Sequence, residues 1–207
     1  MQFQVCGLVL VGSLMLSQPI PSQPEQPPTS DSAQSPMQVV RGLVDHNAML
    51  QVPAKGKVKQ SIANDAPTFS MPEGPSPVVL LQLPEYRTPY TLTLASWPTG
   101  FGFTKRVFVP SALIFDGDFQ QTRVVTEDAL KTKGSRVEAT IPFEEPQKME
   151  RFVLVYTRGD TTGEHIDKLT PVAVGGGAAG GVLGSLLTHT KRSTEGVIEA
   201  ETKPAKK

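Results

Sequence analysis

At 207 residues the chain is long enough for one domain with a real core, and its twenty basic and twenty acidic side chains leave no net charge. That balance excludes the broad positive field that attracts nucleic acid or an anionic membrane surface. Hydrophobic content of 38 % beside 19 prolines and 18 glycines lies below the globular norm, and because the shortfall is concentrated at the two ends, the middle is the part that folds.

Residues 1–17 contain the apolar run Val5–Leu16, too short to span a bilayer and of the length of a secretory signal's apolar region, although no Lys or Arg precedes it. The expectation is an exported, periplasmic protein that is not an integral membrane protein. Cys6, the only cysteine, falls inside this run, so the mature chain would hold no thiol and need no disulfide. Residues 18–57 begin with a Pro/Ser/Gln-rich stretch that has almost nothing to bury and reads as a disordered linker. Within it, Val39, Val40, Leu43, Val44 and Leu50 have the spacing of a short amphipathic helix packed on the domain.

Residues 58–201 read as β-structure. Short apolar segments recur between Pro, Gly and Asp about every ten residues: Val58–Ile62, Pro67–Met71, Val78–Leu83, Tyr90–Ser96, Val107–Phe115, Phe119–Thr126, Arg136–Pro142 and Phe152–Thr157. The segment Tyr90–Ala95 alternates apolar and polar, as a strand with one wet face must, whereas Val78–Leu81 and Phe152–Tyr156 are continuously apolar, as strands covered on both sides are. Two stacked sheets explain both patterns, giving an all-β, antiparallel, jelly-roll-like β-sandwich. Val107–Phe115 and Phe119–Val125 form a hairpin in this reading, with Asp116-Gly117 supplying a positive-φ turn. Thr126–Lys133 reads as one helical turn capped by Thr126, with Glu127 and Asp128 at its start. A Gly-rich loop follows at Pro171–Thr190, then a last strand at Ser193–Glu201 and a solvated basic tail at residues 202–207.

No pattern of residues announces catalysis. Gly175, Gly177 and Gly180 match a dinucleotide fingerprint, but half of that segment is Gly or Ala and too little chain follows for a doubly wound sheet. His46, His165 and His189 lack the spacing of a zinc site, and Asp116 with Asp118 offers too few oxygens for a cation. Glu144-Glu145 are adjacent, so they point apart rather than together. The reading is a non-enzyme with no cofactor and no metal. The aromatic cluster in LPEYRTPYTLTLASWPTGFGF is the better lead, because an aromatic face stacks on the C–H face of a sugar ring. Trp97, Tyr86, Tyr90 and Phe101 are the candidate glycan-stacking residues; the competing reading is that these rings fill the core.

The lead-in Asp65–Gly74, the F-x-P-x-x-x-x-x-D strand at Phe108–Asp116, the strand Phe152–Thr157 and the Thr-Glu-Gly at Thr194–Gly196 together resemble the maltose operon periplasmic protein family, over about Ser61–Glu201. The resemblance implies an envelope-associated, exported protein linked to maltodextrin-type carbohydrate transport, with an oligosaccharide or an envelope or transport protein as partner. It transfers no catalytic residue. The alternative it leaves is a structural or protein-interaction module of the cell envelope with no sugar binding.

Overall fold

A computed structural model describes residues 35–63, 66, 68–71, 73–100, 105–133, 135–144, 149–164 and 190–205. The N-terminal apolar run, the linker up to residue 34 and the Gly-rich stretch 171–189 lie outside the described residues.

Among the described residues the chain is an all-β sandwich with one α-helix. Helix α1, Pro36–Asp45, starts where Ser35 and Gln38 cap each other reciprocally, the Gln38 amide donating to Ser35 Oγ and the Ser35 amide to Gln38 Oε1, with Pro36 in the first turn. Strands follow as β1 (Leu50–Gln51), β2 (Gly56–Ile62), β3 (Thr68–Met71), β4 (Gly74–Pro77), β5 (Val79–Gln82), β6 (Tyr90–Trp97) and β7 (Arg106–Val107). The second half holds β8 (Ser111–Asp116), β9 (Gln121–Val125), β10 (Leu130–Lys133), β11 (Arg136–Phe143), β12 (Glu150–Tyr156), β13 (Lys191–Arg192) and β14 (Gly196–Pro204). One five-stranded sheet has the order β1-β5-β12-β8-β9 and the other β10-β11-β6-β14-β2. Both are antiparallel except where β1 joins β5.

The two sheets bury a shared core built from every second residue. Leu92 and Leu94 of β6, Ile141 and Phe143 of β11, and Ile198 and Ala200 of β14 meet Val79, Leu81, Ile114, Val153 and Val155 of the opposite sheet. The first sheet is covered on its other face too. Val39 and Val40 of α1 and Met71 of β3 pack there on Leu80, Leu113, Phe115, Phe152, Leu154 and Tyr156. This third layer is why β5, β8 and β12 read as unbroken apolar runs while β6 alternates.

Four expectations change. Val107–Phe115 is not one strand: Val107 pairs in parallel with β13, and Phe108–Pro110 turn inward before β8 begins, since Pro110 has no N–H for a ladder. The β8–β9 turn does not use a positive-φ Gly117. Its left-handed residue is Phe119 (φ 62°), and Asp116 Oδ1 accepts from the Asp118 and Gln120 amides at 2.9 and 2.8 Å. The turn at Thr126 is a 3₁₀ turn, Glu127–Ala129, without a side-chain cap, and Leu130–Lys133 continue as a strand. The sheet also runs past Glu201, because Thr202 is buried and bonded to Pro53 O and the ladder carries on to Pro204.

The β3–β4 hairpin is tied down by the turn after β12. Ser76 Oγ accepts from the Thr157 amide at 3.0 Å, and the Asp160 amide donates to Glu73 O at 3.1 Å. Gly159 lets the backbones meet, since a Cβ there would stand 2.4 Å from Pro75 O. Gly159→Ala is expected to cost about 1–3 kcal/mol through overpacking, read as a lowered midpoint in thermal unfolding; an unchanged midpoint would show that the hairpin moves freely.

Candidate functional site

The aromatic candidates separate into two places because strand geometry forces them apart. Tyr90 opens β6 and Trp97 closes it, an odd number of residues later, so they point to opposite faces of the sheet. Tyr90 faces the core: it is 7 % exposed, stacked on Phe143 with centroids 5.0 Å apart, and 6.2 Å from the Tyr86 ring. Tyr86 is half-buried and its hydroxyl donates to Glu144 O at 3.0 Å. Trp97 lies on the outer face, on the order of 20 Å away along the strand. Phe101 and Phe103 lie outside the described residues.

At the Tyr90 end the sandwich opens into a cleft of about 550 Å³ lined by Ala54, Lys55, Pro84, Glu85, Arg87, Thr88, Tyr90 and Pro204. The chain builds it from three separate pieces. The β1–β2 link brings Ala54 and Lys55, the Pro-bracketed β5–β6 link brings Pro84 to Thr88, and the end of β14 brings Pro204 opposite Tyr90. Apolar rings thus sit beside a carboxylate, a guanidinium, an ammonium and a hydroxyl. Such a mixture can grip a polyhydroxylated ligand by stacking and by hydrogen bonds at once. Glu85 and Arg87 lie 3.8 Å apart and project into solvent. Reasoning from the sequence singled out Tyr86 and Tyr90 but not Pro84, Glu85, Arg87 or Pro204. The two prolines flanking the β5–β6 link were the available signal for the loop, whereas nothing local in the sequence marks Pro204 as its neighbour.

Behind Tyr90 stands an ion pair with a buried carboxylate and a part-exposed guanidinium. Arg123 of β9 grips Glu150 of β12 with two hydrogen bonds, Nε to Oε1 at 2.8 Å and Nη2 to Oε2 at 2.6 Å, and donates a third to Pro142 O in the opposite sheet. Its guanidinium also lies 4.9 Å from the Phe143 ring centroid, so Tyr90, Phe143 and Arg123 form one stack. Loss of water around Tyr90, and next the Glu150 charge, push its phenol up to about 12. Burial, and next Glu73, whose carboxylate lies 3.4 Å from the hydroxyl, push Tyr156 up to about 12 as well.

Both phenols are raised in the folded state, so their contribution to stability is complete below pH 10 and is lost as pH climbs through the folded value. The protein is expected to lose stability between about pH 10 and pH 12, and Tyr156→Phe, which cannot ionise, to flatten that decline. Ultraviolet titration of the phenolates alongside thermal unfolding checks both, and an equal decline in the variant counts against the assignment.

The remaining candidates stand apart from the cleft. Asp116 spends one carboxylate oxygen on its own turn, and among the described residues no three His, Cys, Asp or Glu side chains gather as metal ligands. Glu144 is exposed, and its neighbour 145 lies outside the described residues, as do His165, His189 and the glycines 175–184. His46 ends α1, its backbone N–H donating to Gly42 O while the next amide, that of Asn47, donates to Val44 O.

A family model described as maltose operon periplasmic protein precursor matches residues 73–177, just over half of the chain. The matched span runs from the β3–β4 turn through β12, and so takes in most of the two sheets and the β5–β6 side of the cleft. No curated protein matches the chain.

Proposed function

Since the chain belongs to the maltose operon periplasmic protein family, we propose that it is exported to the periplasm and assists uptake of maltodextrin-type carbohydrate there, as a binder of glycan and not as a catalyst. The cleft beside Tyr90 carries this reading. Its volume of about 550 Å³ lies within the usual range for small-ligand sites, and its walls pair proline and tyrosine rings with Lys55, Glu85, Arg87 and Thr88. Among the described residues no helix is long and apolar enough to cross a membrane.

Calorimetry with maltodextrins of increasing length tests the proposal. Binding is expected, and Arg87→Ala is expected to weaken it about tenfold with an unchanged unfolding midpoint, because Arg87 is mostly exposed and its pairing with Glu85 is a surface one. In this assignment Trp97→Ala leaves the affinity unchanged. Heat lost with Trp97→Ala but kept with Arg87→Ala would move the site to the outer face of the sheet. Absence of heat with any oligosaccharide would leave a protein-interaction module of the envelope. In favour of that second reading is β9, an edge strand paired with β8 alone, with Val124 at 49 % exposure.

A further inference from the structure

The outer face of the sheet β10-β11-β6-β14-β2 carries an ordered pattern of charge that the cleft does not use. One row across all five strands reads Lys131, Glu138, Ala95, Glu199, Lys59, each facing the next in register. Lys133, Arg136 and Trp97 lie on the same face beside this row, and Lys57, Glu201 and Lys203 on its other side. Among the described residues six cations therefore share the face with three carboxylates, a local excess that the zero net charge of the chain does not reveal.

Two of the carboxylates are recessed and the lysines project, whereas Glu201 keeps 26 % of its side chain exposed and Arg136 only 21 %. Glu199 and Glu138 side chains are 5 % and 13 % exposed, whereas Lys57, Lys59, Lys133 and Lys203 keep between 52 % and 65 %. Small Ala95 between the two carboxylates leaves them room to lie down. Each is shared by two cations, Glu199 by Lys59 at 2.9 Å and Lys57 at 3.6 Å, and Glu138 by Arg136 at 2.6 Å and Lys133 at 3.5 Å. Each of these two pairs thus keeps one positive charge unanswered, while Lys203 is matched by Glu201 at 2.8 Å. Trp97 sits between the two groups, with Arg136 5.3 Å and Lys59 5.8 Å from its ring centroid, and its N–H is covered.

We propose that this face docks on an anionic phospholipid bilayer surface. A broad sheet that shows an approaching surface flexible lysines around one indole suits a layer of anionic headgroups, which needs no exact register of acceptors. Protein interfaces by contrast centre on apolar anchors and are depleted in lysine, and the exposed large apolar residues among the described ones, Met37, Val124 and Met149, all lie off this face. Docking here leaves the cleft free, since Tyr90 points through the opposite side of β6.

Trp97 is the only tryptophan in the chain, so its fluorescence reports on this face directly. The full chain is mixed with vesicles of phosphatidylglycerol and phosphatidylcholine, and with vesicles of phosphatidylcholine alone; co-sedimentation and Trp97 emission are followed. Expected are binding and a blue shift with the anionic vesicles, at least tenfold stronger than with neutral ones, falling at least tenfold in high salt. Lys57→Gln, Lys133→Gln and Lys203→Gln combined, which leave the better-held Lys59 and Arg136 in place, are expected to abolish the preference with the unfolding midpoint kept. Because the preference is a difference within one chain, any contribution of the N-terminal apolar run cancels. Equal binding to both vesicles, a preference that survives the triple variant, or binding to soluble polyglutamate without binding to vesicles would each overturn the proposal, the last in favour of an acidic protein partner.

Discussion

Glu150→Ala is expected to destabilise the protein by about 2–3 kcal/mol, because it removes the charged acceptor of the Arg123 guanidinium, whose side chain is 27 % exposed. Glu150 is nearly buried, with a side chain 4 % exposed, and it satisfies two donors of Arg123 together with the Thr122 hydroxyl at 2.8 Å. Arg123 in turn is the cross-link between layers, since it belongs to the edge of one sheet and donates to Pro142 O of the other. The ladder shifts register beside Glu150, and such an irregularity turns a side chain that regular pairing would aim elsewhere. Removing both partners together tests the origin of the loss: Arg123→Met with Glu150→Met is expected to recover most of it, since an apolar pair leaves no uncompensated charge. Chemical denaturation measures each variant. A loss under about 1 kcal/mol for Glu150→Ala would mean that the pair behaves as an ordinary surface ion pair.

Phe108→Ala is expected to cost about 3–5 kcal/mol, the largest effect of any single truncation argued for this chain. Phe108 is fully buried in the shared core, at the bend where the predicted strand breaks in two. The hole left behind cannot close easily. On one side Gly196 is already so close that a Cβ there would lie 2.8 Å from Phe108 Cβ, and it is the first residue of β14, in register with Ile62 of β2, the next residue Val197 pairing with Trp97 of β6. Filling from the other side with Gly196→Ala is therefore destabilising in the wild-type chain, and its penalty is expected to shrink markedly in the Phe108→Ala background. Thermal unfolding of the two single variants and the double variant provides the comparison; additive losses would show that the two residues do not compete for the same space.

Period-two alternation, read from residue types alone, was enough to place β6 with one face on a core and to mark Val78–Leu81 and Phe152–Tyr156 as covered twice, because side-chain direction in a strand is a local property. The same rule already separates Tyr90 from Trp97, which stand an odd number of positions apart. The amphipathic spacing of Val39, Val40, Leu43 and Val44 likewise marks the helix, while the capping pair Ser35 and Gln38 sets its start; Leu50, counted with them from its spacing, instead lies in β1, paired with Leu81 of β5. What depended on tertiary structure was everything that joins distant segments. No local pattern says that α1 and β3 form the third layer, that Pro204 closes the cleft opposite Tyr90, or that Lys59 and Arg136 reach the same indole from two different strands. Phe108 turns inward instead of extending a strand for the same reason: the next residues that it must pack against lie in β14, and only the closed sandwich brings them there. Local propensity decides which residues are extended and which way they face, whereas burial of apolar surface and pairing of charge are decided by which strands become neighbours, a property of the whole chain.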